Sequence, residues 1–251
     1  MKDSSINSSD LKALVLAGGR GKRLKDKTNE TNKCMLKFGG IHLIEYSLEN
    51  AVKLQVKEIV IVVGYLAEQI INAFGKNYCG ITIKYVIQWY QKGLVDAIKC
   101  SQNTIGKSDF ILLLGDEFFF KPDLENMIKV YNKSKTLAIC GMINVDDISQ
   151  ITQTYSILFD KEKKQIMRLI EKPKSPQNNF MGTGNIIFKN AIFNYIEMTP
   201  INQIRNEKEL PDLIQCAIDD GELVMYHILT SKYVNVNTLE DITVIENTIF
   251  E

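Results

Sequence analysis

The chain has 251 residues, 45% of them hydrophobic and 24% charged, with 30 Lys and Arg offset by 30 Asp and Glu. That is enough chain to bury a real core. A formal charge of zero is unlike a protein that holds nucleic acid by bulk electrostatics, which shows a basic excess. Apolar runs fall far short of the roughly 20 residues that cross a bilayer, so neither a membrane span nor a nucleic-acid partner is expected.

Residues 1–10, MKDSSINSSD, are polar and lack the apolar stretch of a signal peptide. They read as a flexible extension, with 11–251 forming a single domain. LKALVLA is then a short apolar strand that ends abruptly in GGRGKRL, and residues 42–54 carry apolar side chains at helical spacing. EIVIVVGY is a second buried strand, AEQIINAFG a short helix, ITIKYVI a third strand, and residues 94–105 a further helix. FILLLGDE is a fourth strand with acidic residues at its end. This alternation predicts an α/β fold, a Rossmann-like and mostly parallel mixed sheet flanked by helices.

After Lys121 the rhythm changes. TLAICGMINV, YSILFD, QIMRLIEK and GNIIF read as strands with fewer helices between them. A helix from about Lys208 to Asp220, strands at LVMYHI and KYVNV, and a last helix from Leu239 close the chain. The second half is thus β-rich, and no hexapeptide repeat follows it. Cys34, Cys79, Cys100, Cys140 and Cys216 are odd in number and have no CxxC spacing. They form neither a disulfide framework nor a zinc cluster and fit reduced thiols in a cytoplasmic protein.

The loop from Gly18 to Arg23 places three glycines and three cations (Arg20, Lys22, Arg23) at the carboxyl edge of a strand. Glycines let main-chain amides approach a phosphate, and cations neutralise it. A Rossmann fingerprint fails because the third position from Gly19 falls on Leu24. A Walker loop fails because Gly21-Lys22 is followed by Arg23.

The string ALVLAGGRGKRL, followed by KCMLKF, resembles the signature of the sugar-phosphate nucleotidyltransferases, the nucleoside-diphosphate-sugar pyrophosphorylases. GYLAEQI, Gln88 with Gly93-Leu94, LLLGDEFF, EKP at Glu171–Pro173, TGNIIF and VNVNTLEDI match in order. The resemblance runs from about Lys12 to the end of the chain. It implies in-line attack by a sugar 1-phosphate on the α-phosphorus of a nucleoside triphosphate, with release of pyrophosphate and Mg2+ as cofactor. Positioning and charge neutralisation dominate such chemistry.

The resemblance further implies that Leu16, Ala17, Gly18, Gly19 and Gly21 hold the nucleotide. Arg23 would grip the pyrophosphate, and Lys33 would stabilise the α-phosphate. Gln88 and Gly93 match a pair that reads the base. A glutamine amide carries both a donor and an acceptor, and UTP or dTTP is favoured, with CTP and GTP left open. Asp116 matches a nucleotide contact and metal ligand. Because adjacent strand residues point to opposite sides, only Asp116, and not Glu117, is expected to face the cleft. Gly141, Glu171, Lys172 and Gly184 match contacts to the sugar phosphate, with Lys172 on the phosphate itself. Asn235 falls where many relatives carry an aspartate that serves as second magnesium ligand, and Asn237 where glycine is usual. Lys22 stands where Thr or Ser is common, and Asn32 and Cys34 flank Lys33 where prolines are usual.

Two other readings remain at this point. KCM also occurs in choline-phosphate cytidylyltransferases, which transfer to a non-sugar phosphate. A non-catalytic nucleotide-sugar sensor would share the fold, although retention of Arg23, Lys33, Asp116 and Lys172 argues against it. A glycosyltransferase would carry Asp-x-Asp at the strand end, where this chain has Gly-Asp-Glu. Homo-oligomerisation is left open.

Overall fold

The computed structural model describes residues 10–21, 30–230, 232–236, 241 and 244–245. The expected N-terminal extension and most of the expected last helix therefore lie outside the described residues. From the start run β1 (Lys12–Ala17), the small hairpin β2 (Lys37–Phe38) and β3 (Ile41–His42), α1 (Leu43–Lys53), β4 (Glu58–Val63) and α2 (Ala67–Phe74). Next come β5 (Asn77–Tyr78), β6 (Ile81–Ile87), α3 (Leu94–Ile105), β7 (Phe110–Leu114), β8 (Glu117–Phe119), α4 (Leu124–Lys133) and β9 (Ala138–Asn144). The remainder is β10 (Tyr155–Asp160), β11 (Gln165–Glu171), β12 (Phe180–Phe188), β13 (Ile201–Asn202), β14 (Glu207–Lys208), α5 (Leu210–Asp219), β15 (Val224–Ile228) and β16 (Tyr233–Asn235).

Ten strands make one sheet in the order β10-β11-β15-β9-β12-β7-β1-β4-β6-β5. The block β7-β1-β4-β6 is parallel, whereas β12 joins both β7 and β9 antiparallel and β10 joins β11 antiparallel. β4 and β7 are apolar along nearly their whole length because both faces of the sheet are covered. Strand alternation divides their side chains between two cores. Ala13, Val15, Ile61 and Leu113 pack with Ile44 and Leu48 of α1, Ile70 of α2 and Met127 of α4. Leu14, Val60 and Leu112 pack on the other face with Val95 and Ile98 of α3 and Leu213 and Ile214 of α5. Among the described residues no helix is long and apolar enough to cross a membrane.

Two departures from the sequence expectation matter. FILLLGDE is not one strand: β7 ends at Leu114, Gly115 and Asp116 turn, and β8 begins at Glu117. A helix that the expectation omitted, α4, buries Leu124, Met127, Ile128 and Tyr131 at i, i+3, i+4 and i+7.

β1 has β7 on one side and β4 on the other, with chain order reversing across it. In open α/β sheets, ligands bind at the carboxyl ends of strands at such a switch point. The glycine loop follows β1, Gly64 follows β4, Gln88 follows β6 and Asp116 lies just beyond β7. The topology brings all four to one edge.

Candidate functional site

A cleft of about 470 Å3 opens at this edge, within the range that small-molecule sites occupy. It is lined on one side by Leu16, Ala17, Gly18, Gly19 and Gly21, and across from them by Glu171, Lys172 and Gly184. The glycine loop is held against the turn after β4, where Tyr65 N donates to Gly18 O at 3.2 Å. A Cβ on Gly64 would stand 2.8 Å from Gly18 O and 3.2 Å from Gln88 O, so only glycine permits this approach. Arg20 stacks over the Tyr65 ring, 5.2 Å from its centroid. Lys22 and Arg23 lie outside the described residues.

Lys33 comes from a 3-10 turn, Lys33–Met35, capped by Asn32, whose side chain accepts from Cys34 N at 2.8 Å. Asn32 Nδ2 also donates to Tyr65 O at 2.6 Å and to Ala17 O at 3.4 Å. Gln69 Oε1 in turn accepts from Asn32 N at 2.8 Å. The fully buried Asn32 thus ties the lysine turn to the ends of β1 and β4. The proline the resemblance leads one to expect has no N–H to donate and no side-chain amide. The Cys34 thiol is pushed well above its usual range, first by burial and then by the Asp116 carboxylate.

Lys33 is buried, and its Nζ lies 2.8 Å from Asp116 Oδ2. Because Asp116 sits in a turn, the alternation expected of a continuous strand does not apply, and Asp116 and Glu117 both line the cleft. Their roles differ. Glu117 is buried and accepts Tyr233 OH at 2.7 Å and Gly184 N at 3.1 Å. Burial raises its carboxyl to about 8, against the opposing effect of the Tyr233 and Gly184 donors. Asn235 is registered opposite Glu117 in the β16–β8 pair, and Val236 N donates to Asp116 O at 3.2 Å. The Asn235 side chain also hydrogen-bonds Tyr233, so Glu117, Tyr233 and Asn235 form a chain beside Asp116.

Gln88 is buried at the end of β6. Its Nε2 donates to Asp96 Oδ2 at 2.7 Å and to Gly93 O at 3.2 Å. Gly93 begins α3 with φ +88°, and a Cβ there would meet the Glu207 carboxylate at 2.8 Å. Trp89 and Tyr90, which follow Gln88, are exposed.

On the opposite wall, Glu171 ends β11 and its carboxyl is raised, first by burial and then by Glu209, with Arg205 and Lys172 opposing. Arg205 Nη2 lies 2.6 Å from Glu171 and also pairs with Glu209, and Lys172 Nζ lies 3.7 Å from Glu171. Lys172 holds φ +43°, a left-handed backbone uncommon for a side-chain-bearing residue, with its N–H bonded to Thr154 O at 2.6 Å. Arg205, Glu207 and Glu209 were missed by sequence reasoning. A lone Arg in the polar run INQIRNEK carries no periodic or motif signal, and only the β13–β14 hairpin brings it to the cleft. Gly184 lines the cleft, and a Cβ there would strike Leu114 at 2.2 Å. Gly141 is not among the lining residues. A Cβ on it would meet Leu229 at 2.5 Å and Asn185 O at 2.6 Å, and its carbonyl accepts Thr183 Oγ1 at 2.9 Å. It therefore lies one layer behind Thr183, where close packing demands a glycine.

The arrangement combines an amide-rich glycine loop, a buried lysine beside a turn carboxylate, and two cations on the far wall. Comparison with known families matches residues 12–249 to the one described as nucleotidyl transferase. The chain belongs to this family. Among relatives, the UTP–glucose-1-phosphate uridylyltransferase AglF of Haloferax volcanii is 31% identical over 217 residues, covering 85% of this chain and 86% of the relative. A glucose-1-phosphate thymidylyltransferase of Streptomyces griseus is 26% identical over 96% of this chain and 66% of its own length. The bifunctional protein GlmU of Methanococcus maripaludis is 29% identical over 84% of this chain, which spans only 48% of that relative. A UDP-glucose pyrophosphorylase complexed with UDP-glucose superposes with a TM-score of 0.86 at 22% identity, over 96% of this chain and 98% of the other. A UTP-bound UGPase from Acinetobacter baumannii gives 0.82 at 20%, over 95% and 93%. At those identities the likeness speaks to the nucleotidyltransferase fold.

Proposed function

We propose that this nucleotidyl transferase moves a nucleotidyl group from UTP or dTTP to a sugar 1-phosphate, giving a nucleoside-diphosphate sugar and pyrophosphate. The observation that carries the reading is the cleft itself. Lys33 stands beside Asp116 at the glycine-loop wall, and Lys172 and Arg205 flank Glu171 at the other. Two phosphate-bearing substrates can thus be neutralised from opposite sides of one reacting centre.

In this reading the amides of Gly18, Gly19 and Gly21 receive the triphosphate, and Arg23 takes the departing pyrophosphate. Lys33 leaves its resting partner Asp116 to stabilise charge on the α-phosphate. Lys172 and Arg205 hold the sugar phosphate in line for attack, and the Glu171 carboxylate accepts from sugar hydroxyls. Gln88 and Gly93 face the base. A cytoplasmic setting fits five cysteines that are all free thiols.

Asp116 and Asn235 both line the cleft and, as hard oxygen donors, fit magnesium; the β16–β8 register sets Asn235 opposite Glu117, the neighbour of Asp116. Among the described residues no cluster of three or more His, Cys, Asp or Glu suits a metal. That suits an ion which keeps several waters and takes substrate phosphates as ligands. Magnesium held there would neutralise charge on the triphosphate oxygens. With one anionic protein ligand, itself paired to Lys33, the nucleotide-free protein should bind free metal weakly. Asn235→Asp should tighten that binding, and Asn235→Ala should raise the magnesium concentration needed for half-maximal turnover. Unchanged magnesium dependence and turnover in Asn235→Ala would show that Asn235 only leads the chain toward its last segment.

The function is tested by following pyrophosphate release from five nucleoside triphosphates against a panel of sugar 1-phosphates and phosphocholine. Release with UTP or dTTP and a sugar 1-phosphate is expected. Release with CTP and phosphocholine alone would transfer the chain to the non-sugar branch, and none with any pair would leave a sensor.

A further inference from the structure

We infer that Asp96 is a specificity-determining residue: it locks the Gln88 amide so that its oxygen, and not its nitrogen, is presented to the nucleobase. The inference rests on the reading of Gln88 as a base contact and asks what that contact can select.

A glutamine amide can be turned by 180° about its last bond with little change in shape, exchanging a donor for an acceptor. Here the choice is made by the surroundings. Nε2 has two protons, and each has an acceptor: Asp96 Oδ2 at 2.7 Å and the Gly93 carbonyl at 3.2 Å. Neither partner can donate. Turning the amide over would set Oε1 against a carboxylate and a carbonyl oxygen, losing two hydrogen bonds, one of them to a charged group, in a buried position. The oxygen therefore points the other way. It lies 3.1 Å from where a Cβ on Gly18 would stand, on the glycine loop that lines the cleft. Gln88 and Gly18 line the same cleft as Gly93, so the atom that Gln88 offers a ligand there is an acceptor.

An acceptor selects for a donor. Uracil and thymine carry N3–H between their two carbonyls. With N3 placed against the Gln88 oxygen, cytosine turns a bare lone pair to it, acceptor against acceptor, and its N4 amino donor reaches that oxygen only if the base shifts in the cleft. Asp96 is thus the residue through which the site favours UTP or dTTP over CTP. It sits on the first turn of α3, one helical turn from Gly93, and is not among the residues that line the cleft. Its loss should alter the choice of base without disturbing the transfer step.

The test compares kcat/KM for UTP and CTP, with the same sugar 1-phosphate, in the wild-type protein, Asp96→Asn and Asp96→Leu. An asparagine can turn to serve either orientation of Gln88, and leucine serves neither. Both variants should lower the UTP-to-CTP ratio about tenfold, mainly through KM, with kcat for UTP at saturation within about twofold of wild type. Binding of UTP and CTP to the wild-type protein by calorimetry needs no variant and should show the same preference, with N3-methyl-UTP, which lacks the donor, binding more weakly than UTP. A ratio unchanged in active, folded Asp96→Asn, or CTP binding the wild type as tightly as UTP, overturns the inference while leaving the transferase reading intact. Absence of turnover with every nucleotide in the wild type would instead strike the transferase reading, and the calorimetric comparison would still decide the polarity of Gln88.

Discussion

Lys33→Ala is expected to lower kcat by about two orders of magnitude or more while leaving KM for the triphosphate within a few-fold. Removing one preorganised charge from a transition state of this type costs about 3–4 kcal/mol, the loss that the proposed role of Lys33 on the α-phosphate implies. It is buried, mounted on a capped turn, and tied at 2.8 Å to a carboxylate at the mouth of the parallel strands. The same contact gives a second, opposite expectation. With its ammonium gone, Asp116 loses the positive charge that competes with a cation for its oxygens, so the nucleotide-free Lys33→Ala protein should bind Mn2+ or Mg2+ more tightly than wild type. Lys33→Met, which keeps the stem in its buried channel, should behave alike on both counts and separates loss of charge from loss of packing. Turnover near the wild-type level in Lys33→Met would remove the lysine from the mechanism. Unchanged metal affinity would show that Asp116 is not a ligand.

The sequence made the glycine-loop wall of the cleft more legible than the far wall, where Glu171, Lys172 and Gly184 were named but Arg205, Glu207 and Glu209 were not. Leu16 and Ala17 end β1, Gly18 to Gly21 follow it, and Asp116 lies just beyond β7, strands whose apolar runs mark them as buried and parallel; Gln88 and Gly93 follow β6, whose mixed run ITIKYVI gives a weaker signal. Asp116 illustrates the limit. Reading FILLLGDE as one strand put a single carboxylate in the cleft, but Gly115 lets the chain turn against Leu16 O, 2.9 Å from its own N–H. Glu117 then also faces in. α4 was lost for a different reason: its apolar residues recur at helical spacing, but they follow Phe118 to Phe120, and the change of rhythm was attributed to strands. Arg205 was out of reach altogether. Its position depends on a two-residue hairpin whose strands are too short to show a period, and on Glu171 and Glu209, which are distant in sequence or polar in context. Gly141 shows the reverse case, a residue matched by motif whose requirement for glycine comes from Leu229 and Asn185 O packed against it.

The chain's stability should carry the signature of Glu117. A carboxyl raised from 4.5 to about 8 by burial is protonated in the fold and ionised in the unfolded chain between those two values. The folded state then binds more protons than the unfolded one, so stability is fully present below about pH 4.5 and is lost as the pH rises toward 8. At ~1.36 kcal/mol per pH unit, keeping this carboxylate ionised inside the fold costs about 4–5 kcal/mol. Glu117→Gln replaces it with a neutral group of the same shape that still offers an oxygen to Tyr233 OH and Gly184 N. In metal-free protein, urea unfolding at pH 5 should find the two proteins within about 1–2 kcal/mol, the spread expected when one buried hydrogen-bond partner changes. By pH 9 the glutamine variant should lead by several kcal/mol. Saturating magnesium and nucleotide should narrow the gap at high pH, because cationic charge gathered at Asp116 favours the ionised neighbour. If the difference between the two proteins stays constant from pH 5 to pH 9, Glu117 is ionised throughout. The hydroxyl of Tyr233 and the amide of Gly184 would then outweigh its burial, and the carboxylate would stand as a permanent negative charge beside Asp116.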